Sequence, residues 1–191
     1  MFLSIFLLFS CITAFAEEGF IFRDGITWGM TSEEIREKES NLKYVENTNI
    51  KGVGKLILDG AKVGKYEDAR LIYRFLNNAL YSTAYCIDAD ESQAKYIFTY
   101  LEATLSKKYG DSHSTTDQDL DSYVDYYKEM EGNINVNDDS SEFIDEMIQL
   151  YTTAWALPDG TTIFLGIDNE NNSVNVIYVA PYGILLDTEG L

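Results

Sequence analysis

A chain of 191 residues, 46% of them hydrophobic, is long enough to bury one ordinary core and too apolar to be disordered. Its formal net charge of −18, from 32 acidic against 14 basic residues, excludes a nucleic-acid backbone as partner, because phosphates are gripped by basic stripes. The same charge disfavours adsorption to anionic lipid and fits high solubility or a cationic partner.

The first sixteen residues, MFLSIFLLFSCITAFA, form an apolar run closing on Ala14-Phe15-Ala16, with Glu17-Glu18 behind it. That pattern predicts a secretory signal peptide over 1–16, although no Lys or Arg precedes the run. Cys11 offers a second reading, a lipoprotein anchor, which the bulky Phe9 fits poorly. With cleavage after Ala16, Cys86 is the one remaining cysteine, so the domain over 17–191 must hold itself by its core without an internal disulfide. No later stretch is long and apolar enough to predict a membrane span.

Thr31 and Glu34 have the spacing of a capping box, and Met30 and Ile35 that of a hydrophobic staple. A short helix is therefore predicted from about Ser32 to Glu39. Strands follow at 42–47, 54–59, 67–76 and 79–88. The last two alternate well, with Leu71, Tyr73 and Phe75 on one face and Asn77-Asn78 as the hairpin turn. Asp90 and Gln93 again have capping spacing, and Ala94, Ile97, Phe98, Leu101 and Leu105 repeat at helical intervals before Gly110. These residues predict a helix over about 91–109.

Residues 111–146 change character. Between Asp117 and Glu146 stand eleven acids and a single base, Lys128. The aromatic patch 123–127 fits a strand or a helical turn, and the rest reads as a long, acidic, partly mobile loop. Three strands close the chain: 147–157, 161–168 and 173–180, joined by Pro158-Asp159-Gly160 and Asn169–Asn172. Helix then strands, twice over, predicts an α+β fold. Its antiparallel sheet would have six to seven strands, with two main helices on one face. The repeated order suggests a tandem duplication that no residue-level repeat accompanies.

Catalytic constellations are hard to assemble. His113 is the one histidine, in a polar loop without a nucleophile elbow nearby. Cys86 has Asp88 rather than a cation beside it, so it reads as a structural cysteine on the face of Ala84. One His and one mature Cys cannot make a typical zinc site. Asp117, Asp119 and Asp121 have the opening spacing of a calcium loop, but Ser122 and Lys128 stand where glycine and a bidentate glutamate belong. No phosphate-cradling glycine motif is present. The reading is therefore of no enzyme, no catalytic residues, no metal ligands and no cofactor.

Aromatics are the remaining binding candidates. Phe75, Phe98 and Phe164 read as core. Trp28 follows the first turn, and Tyr151, Thr153 and Trp155 alternate on one strand face. Trp28, Tyr151 and Trp155 are the candidate binding residues, for a protein surface or for glycan stacking.

Several stretches resemble known exported proteins. Gly29-Met30-Thr31 with Glu34-Ile35 is similar to the helix start of SmpA/OmlA-type envelope lipoproteins and of β-lactamase-inhibitor-protein-like (BLIP-like) domains. Ile26–Met30, Leu105–Gly110, and Thr153-Ala154-Trp155 with Asp159–Ile163 resemble a group of exported proteins of Gram-positive gut bacteria. The resemblance implies helices against an antiparallel sheet, and protein binding rather than catalysis. It transfers neither a β-lactamase partner nor a barrel-assembly role, since the inhibitors' disulfides and a sound lipobox are missing. The expectation is a monomeric, secreted or cell-envelope module that binds a protein or peptide on its sheet. The alternative is an extracellular domain binding glycan or calcium.

Overall fold

A computed structural model describes residues 20–134 and 147–183. The expected signal peptide, Cys11 and most of the acidic stretch after Ile134 lie outside the described residues.

Eight strands form one antiparallel sheet. Helix α1 (Ser32–Lys38) leads into β1 (Lys43–Ile50), β2 (Val53–Val63), β3 (Tyr66–Leu76) and β4 (Ala79–Asp88). After α2 (Glu91–Tyr109) come β5 (His113–Ser114), α3 (Asp117–Ile134), a helical turn at 147–150, and β6 (Tyr151–Ala156), β7 (Thr162–Asp168) and β8 (Ser173–Val179). The spatial order is β1-β2-β3-β4-β8-β7-β6-β5. Exchanging each strand with the one four places later or earlier returns the same order read from the opposite edge, so β4 and β8 are equivalent partners at the centre.

Local chemistry sets these elements. Thr31 Oγ1 accepts from the Glu34 amide while the Glu34 carboxylate accepts from the Thr31 amide, closing the expected capping box. Asn77 and Asn78 both have positive φ, 50° and 64°, the pairing a tight right-twisted hairpin turn demands. Asp90 caps α2 by accepting from the Gln93 amide, and Gly110 ends it at φ 94°.

Each sheet face has its own core. On one, Ile35 of α1 and Ala94, Ile97, Leu101 and Leu105 of α2 pack on Leu71, Tyr73, Trp155, Leu165 and Val176. On the other, Leu120, Tyr123, Val124 and Tyr126 of α3 cover Tyr81, Ala84, Tyr151, Phe164 and Ile177. The two expected helices thus share a face, and a third helix lies opposite.

Four expectations need correction, the last of them at a bulge in β6. The acidic loop is helical over Asp117–Ile134, because Leu120, Tyr123 and Val124 recur at helical spacing and bury against the sheet. Strand β5 adds an eighth strand inside the same stretch. The strand expected from 147 begins at Tyr151, behind a helical turn.

A bulge in β6 matters most. Tyr151 pairs with Gly166 but Thr153 pairs with Leu165, so one extra residue enters the strand. Tyr151 therefore joins the core under α3, while Trp155 joins the core under α2. They do not share the face that alternation predicted. Gly166 makes room for the bulge: a Cβ there would lie 2.1 Å from the Leu150 carbonyl oxygen. Gly166→Ala is expected to cost about 2 to 3 kcal/mol, since overpacking against backbone cannot relax by a rotamer change. Urea unfolding measures it, and an unchanged midpoint would contradict this bulge geometry.

Candidate functional site

The aromatics singled out in the sequence are bound into the fold. Trp155 is fully buried, and its Nε1 donates to the Gly110 carbonyl at 3.1 Å. Tyr151 is buried in the other core, and burial raises its hydroxyl pKa above the ordinary tyrosine range. Trp28 is half-buried: its Nε1 donates to Thr161 Oγ1 at 2.9 Å and its ring stacks on Phe20 at 5.5 Å. Asp159 supports the same junction by accepting from the Thr161 amide and hydroxyl and from the Phe20 amide. Trp28 thus ties the start of the domain to the β6–β7 turn. The structure brings no two of the three candidates into a common exposed patch.

The polar candidates are also engaged. His113 Nε2 lies 2.8 Å from Asp119 Oδ1, and Asp119 Oδ2 accepts from the Thr116 amide and hydroxyl. Together they cap α3 and tie it to β5. Asp117, Asp119 and Asp121 sit on this helix, where residues two apart do not face one another. Among the described residues, no group of three or more His, Cys, Asp or Glu side chains is placed to hold a metal ion. Cys86 is half-buried in β4, and burial raises its thiol pKa.

One buried carboxylate is found under α1. Glu39, 4% exposed, accepts from the Tyr73 hydroxyl and pairs with Arg23 Nε at 3.1 Å. Arg23 Nη1 donates to Tyr85 Oη at 3.3 Å. Burial and the Glu39 charge drive the Tyr73 pKa far up, so its hydroxyl stays a donor. The carboxylate is spent on holding the strand face to the segment around Arg23.

Exposed apolar surface concentrates elsewhere, on the edge strand β1. Tyr44, Val45 and Ile50 are 49%, 45% and 63% exposed, three of the five large apolar side chains exposed among the described residues. Tyr44 receives the Arg36 guanidinium over its ring at 4.9 Å, and another exposed side chain, Tyr96 on α2, receives Lys65 at 4.2 Å. Every residue of β1 is exposed or half-buried, and only its β2 side is paired. The opposite edge of the sheet is the two-residue β5.

Across the face opposite α1, register sets residues of β1 to β4 in rows. Thr48, Lys55, Arg74 and Ser82 are successive cross-strand partners. Glu46, Ile57, Ile72 and Ala84 form the row on one side, and Ile50, Val53 and Leu76 the row on the other. Directly opposed residues share a face, so Lys55 and Arg74 are like-charged neighbours. None of the ion pairs among the described residues involves either of them, or Glu46. Arg70, further along β3, is paired with Asp59 at 3.2 Å.

Neither the exposed edge nor this row was singled out in the sequence. Alternation did carry a signal: if Leu71, Tyr73 and Phe75 face the core, then Arg70, Ile72 and Arg74 face the other way. Pairing with Lys55 depends on register, which no residue count supplies. Compared with models of protein families, with curated proteins and with solved structures, the chain matches none of them.

Proposed function

We propose that this protein is an exported, non-enzymatic binding module that takes up an extended segment of a partner protein along β1. The observation that carries the reading is the concentration of Tyr44, Val45 and Ile50 on an eight-residue edge with one side unpaired. Long exposed edges invite strand pairing, and proteins ordinarily blunt them. Here β5 is blunted to two residues, whereas β1 runs for eight, with one bulge between Tyr44 and Glu46. A peptide added to β1 gains main-chain hydrogen bonds from the edge and apolar contact from its side chains. Export rests on the apolar run before Ala16, and the tandem-unit origin on the exchange symmetry of the strand order. In that view the first unit keeps its outer edge for binding, while the second closes its own.

Selection of displayed random peptides on the purified domain tests the reading. Peptides with alternating apolar residues are expected, and the triple variant Tyr44→Ala/Val45→Lys/Ile50→Lys should bind them at least about tenfold more weakly at an unchanged melting temperature, since exposed positions contribute little to stability. Equal binding by the variant would overturn the proposal. Concentration-dependent dimers that the triple variant abolishes would overturn it too, in favour of pairing between two copies.

A further inference from the structure

A cation is already held among three tyrosine rings where the β2–β3 turn meets α2. Lys65 Nζ lies over the rings of Tyr96, Tyr100 and Tyr66, at 4.2, 4.4 and 5.3 Å from their centroids, and donates to Tyr96 Oη at 2.8 Å. Two walls of this cage are fixed by the fold. Tyr66 and Tyr100 are half-buried against the core under α2 and meet edge to face, 5.6 Å apart at 85°. Gly64, at φ 57°, lets the turn close on them: a Cβ there would lie 2.9 Å from Tyr100 Cε1. The third wall, Tyr96, is 65% exposed, and Lys65 is exposed too, so the cage opens to solvent.

Lysine is an imperfect occupant of such a cage. Its ammonium carries three donors, which aromatic faces cannot satisfy as water does. None of the ion pairs among the described residues involves Lys65. A compact ammonium is also strongly hydrated, so entering the rings costs it water. A quaternary ammonium has no donor to satisfy and gains the same attraction from the ring faces, which is how aromatic cages recognise such cations. The net charge of −18 raises the local concentration of cations around the domain.

We infer that Tyr66, Tyr96 and Tyr100 form a binding site for a small quaternary ammonium compound, in which Lys65 is the resident competitor. Lys65 rides on a flexible four-carbon stem and leaves the cage when the ligand enters. The apparent affinity is then that of the empty cage, reduced by the fraction of time the lysine is out. The site uses no residue of β1 and stands independently of the protein-binding reading.

The test titrates choline chloride against sodium chloride at equal ionic strength, and against the uncharged carbon isostere of choline, dimethylbutanol. Choline should move the Tyr96 and Tyr100 ring resonances saturably and leave those of the exposed Tyr44 in place. Lys65→Ala should bind choline at least about threefold more tightly, because the cage is then always vacant. Adding Tyr96→Ala to Lys65→Ala should remove the binding. Both positions are exposed, so both variants should keep the fold. The absence of a saturable shift, equal shifts from the alcohol, an affinity that Lys65→Ala leaves unchanged, or binding that survives Tyr96→Ala would overturn the inference. Sedimentation with phosphatidylcholine vesicles then distinguishes the source of the ligand. Co-sedimentation that free choline competes away assigns a lipid headgroup, and choline binding without co-sedimentation assigns a soluble compound.

Discussion

Trp155→Ala is expected to destabilise the domain by about 4 kcal/mol, in the range for deleting a buried aromatic side chain from a core. The indole is 1% exposed and packs in the core that α1 and α2 share with the sheet. Its Nε1 also closes the C-terminal end of α2 by donating to the Gly110 carbonyl. Truncation would open a cavity between β6 and α2 and leave that carbonyl unpaired. For a domain of this size the melting temperature should fall by about 8 to 16 °C. Trp155→Phe should recover most of the packing but not the hydrogen bond, and so fall between the two. A residue kept for binding behaves differently: its truncation leaves stability nearly untouched and weakens capture. Calorimetry of the two variants separates these roles, and an unchanged melting temperature for Trp155→Ala would contradict the buried assignment.

Glu39→Met is expected to cost about 3 kcal/mol, near the lower end for breaking a buried pair by removing one partner. The Tyr73 hydroxyl, on a fully buried side chain, loses its acceptor, and Arg23 loses its buried ion-pair partner while Nε keeps its hydrogen bond to Asp24 Oδ2 at 3.3 Å. The loss is held to the lower end because Arg23 keeps 21% side-chain exposure and can turn to water. Tyr73→Phe removes only one donor and should cost about 1 kcal/mol. The double variant should cost less than the sum of the two, since the hydroxyl stranded by Glu39→Met is then gone. Urea unfolding of the three proteins gives the coupling directly. Strict additivity would mean that Tyr73 and Glu39 do not interact.

Much of the sheet could be read along the chain because its central strands obey simple rules. Residues 67–76 and 79–88 alternate and are joined by Asn77-Asn78, whose positive φ values suit the turn they make. Helix α2 was equally plain, with a cap, a periodic apolar face and a terminal glycine. Helix α3 was obscured by its charge. Asp117, Asp119, Asp121, Asp125 and Glu129 dominate its composition, yet Leu120, Tyr123 and Val124 supply the buried stripe. Acids on the solvent side of a helix say nothing against the helix, and period should have outweighed composition there.

The site was the less legible part. Trp28, Tyr151 and Trp155 attract notice because aromatics often make interfaces, but large aromatics also fill cores, and position in sequence does not separate the two. Alternation puts Tyr151 and Trp155 on one face because it assumes an unbroken strand, and a bulge leaves no compositional trace beyond the glycine opposite it. The β1 edge is marked by modest residues whose exposure follows from being last in the sheet. Lys55 and Arg74 are nineteen positions apart, and only pairing of β2 with β3 makes them neighbours.

The most direct measurement of the central claim is site-specific photo-crosslinking. A photoreactive residue at position 50 on β1 is compared with one at position 96 on α2, which in the wild type are nearly equally exposed, at 63% and 65%. With cell-surface and culture-medium proteins of the source organism, position 50 should give a discrete adduct that excess wild-type domain competes away, and position 96 should not. Matching adducts at both positions, or a competed adduct at position 96 alone, would contradict binding along β1.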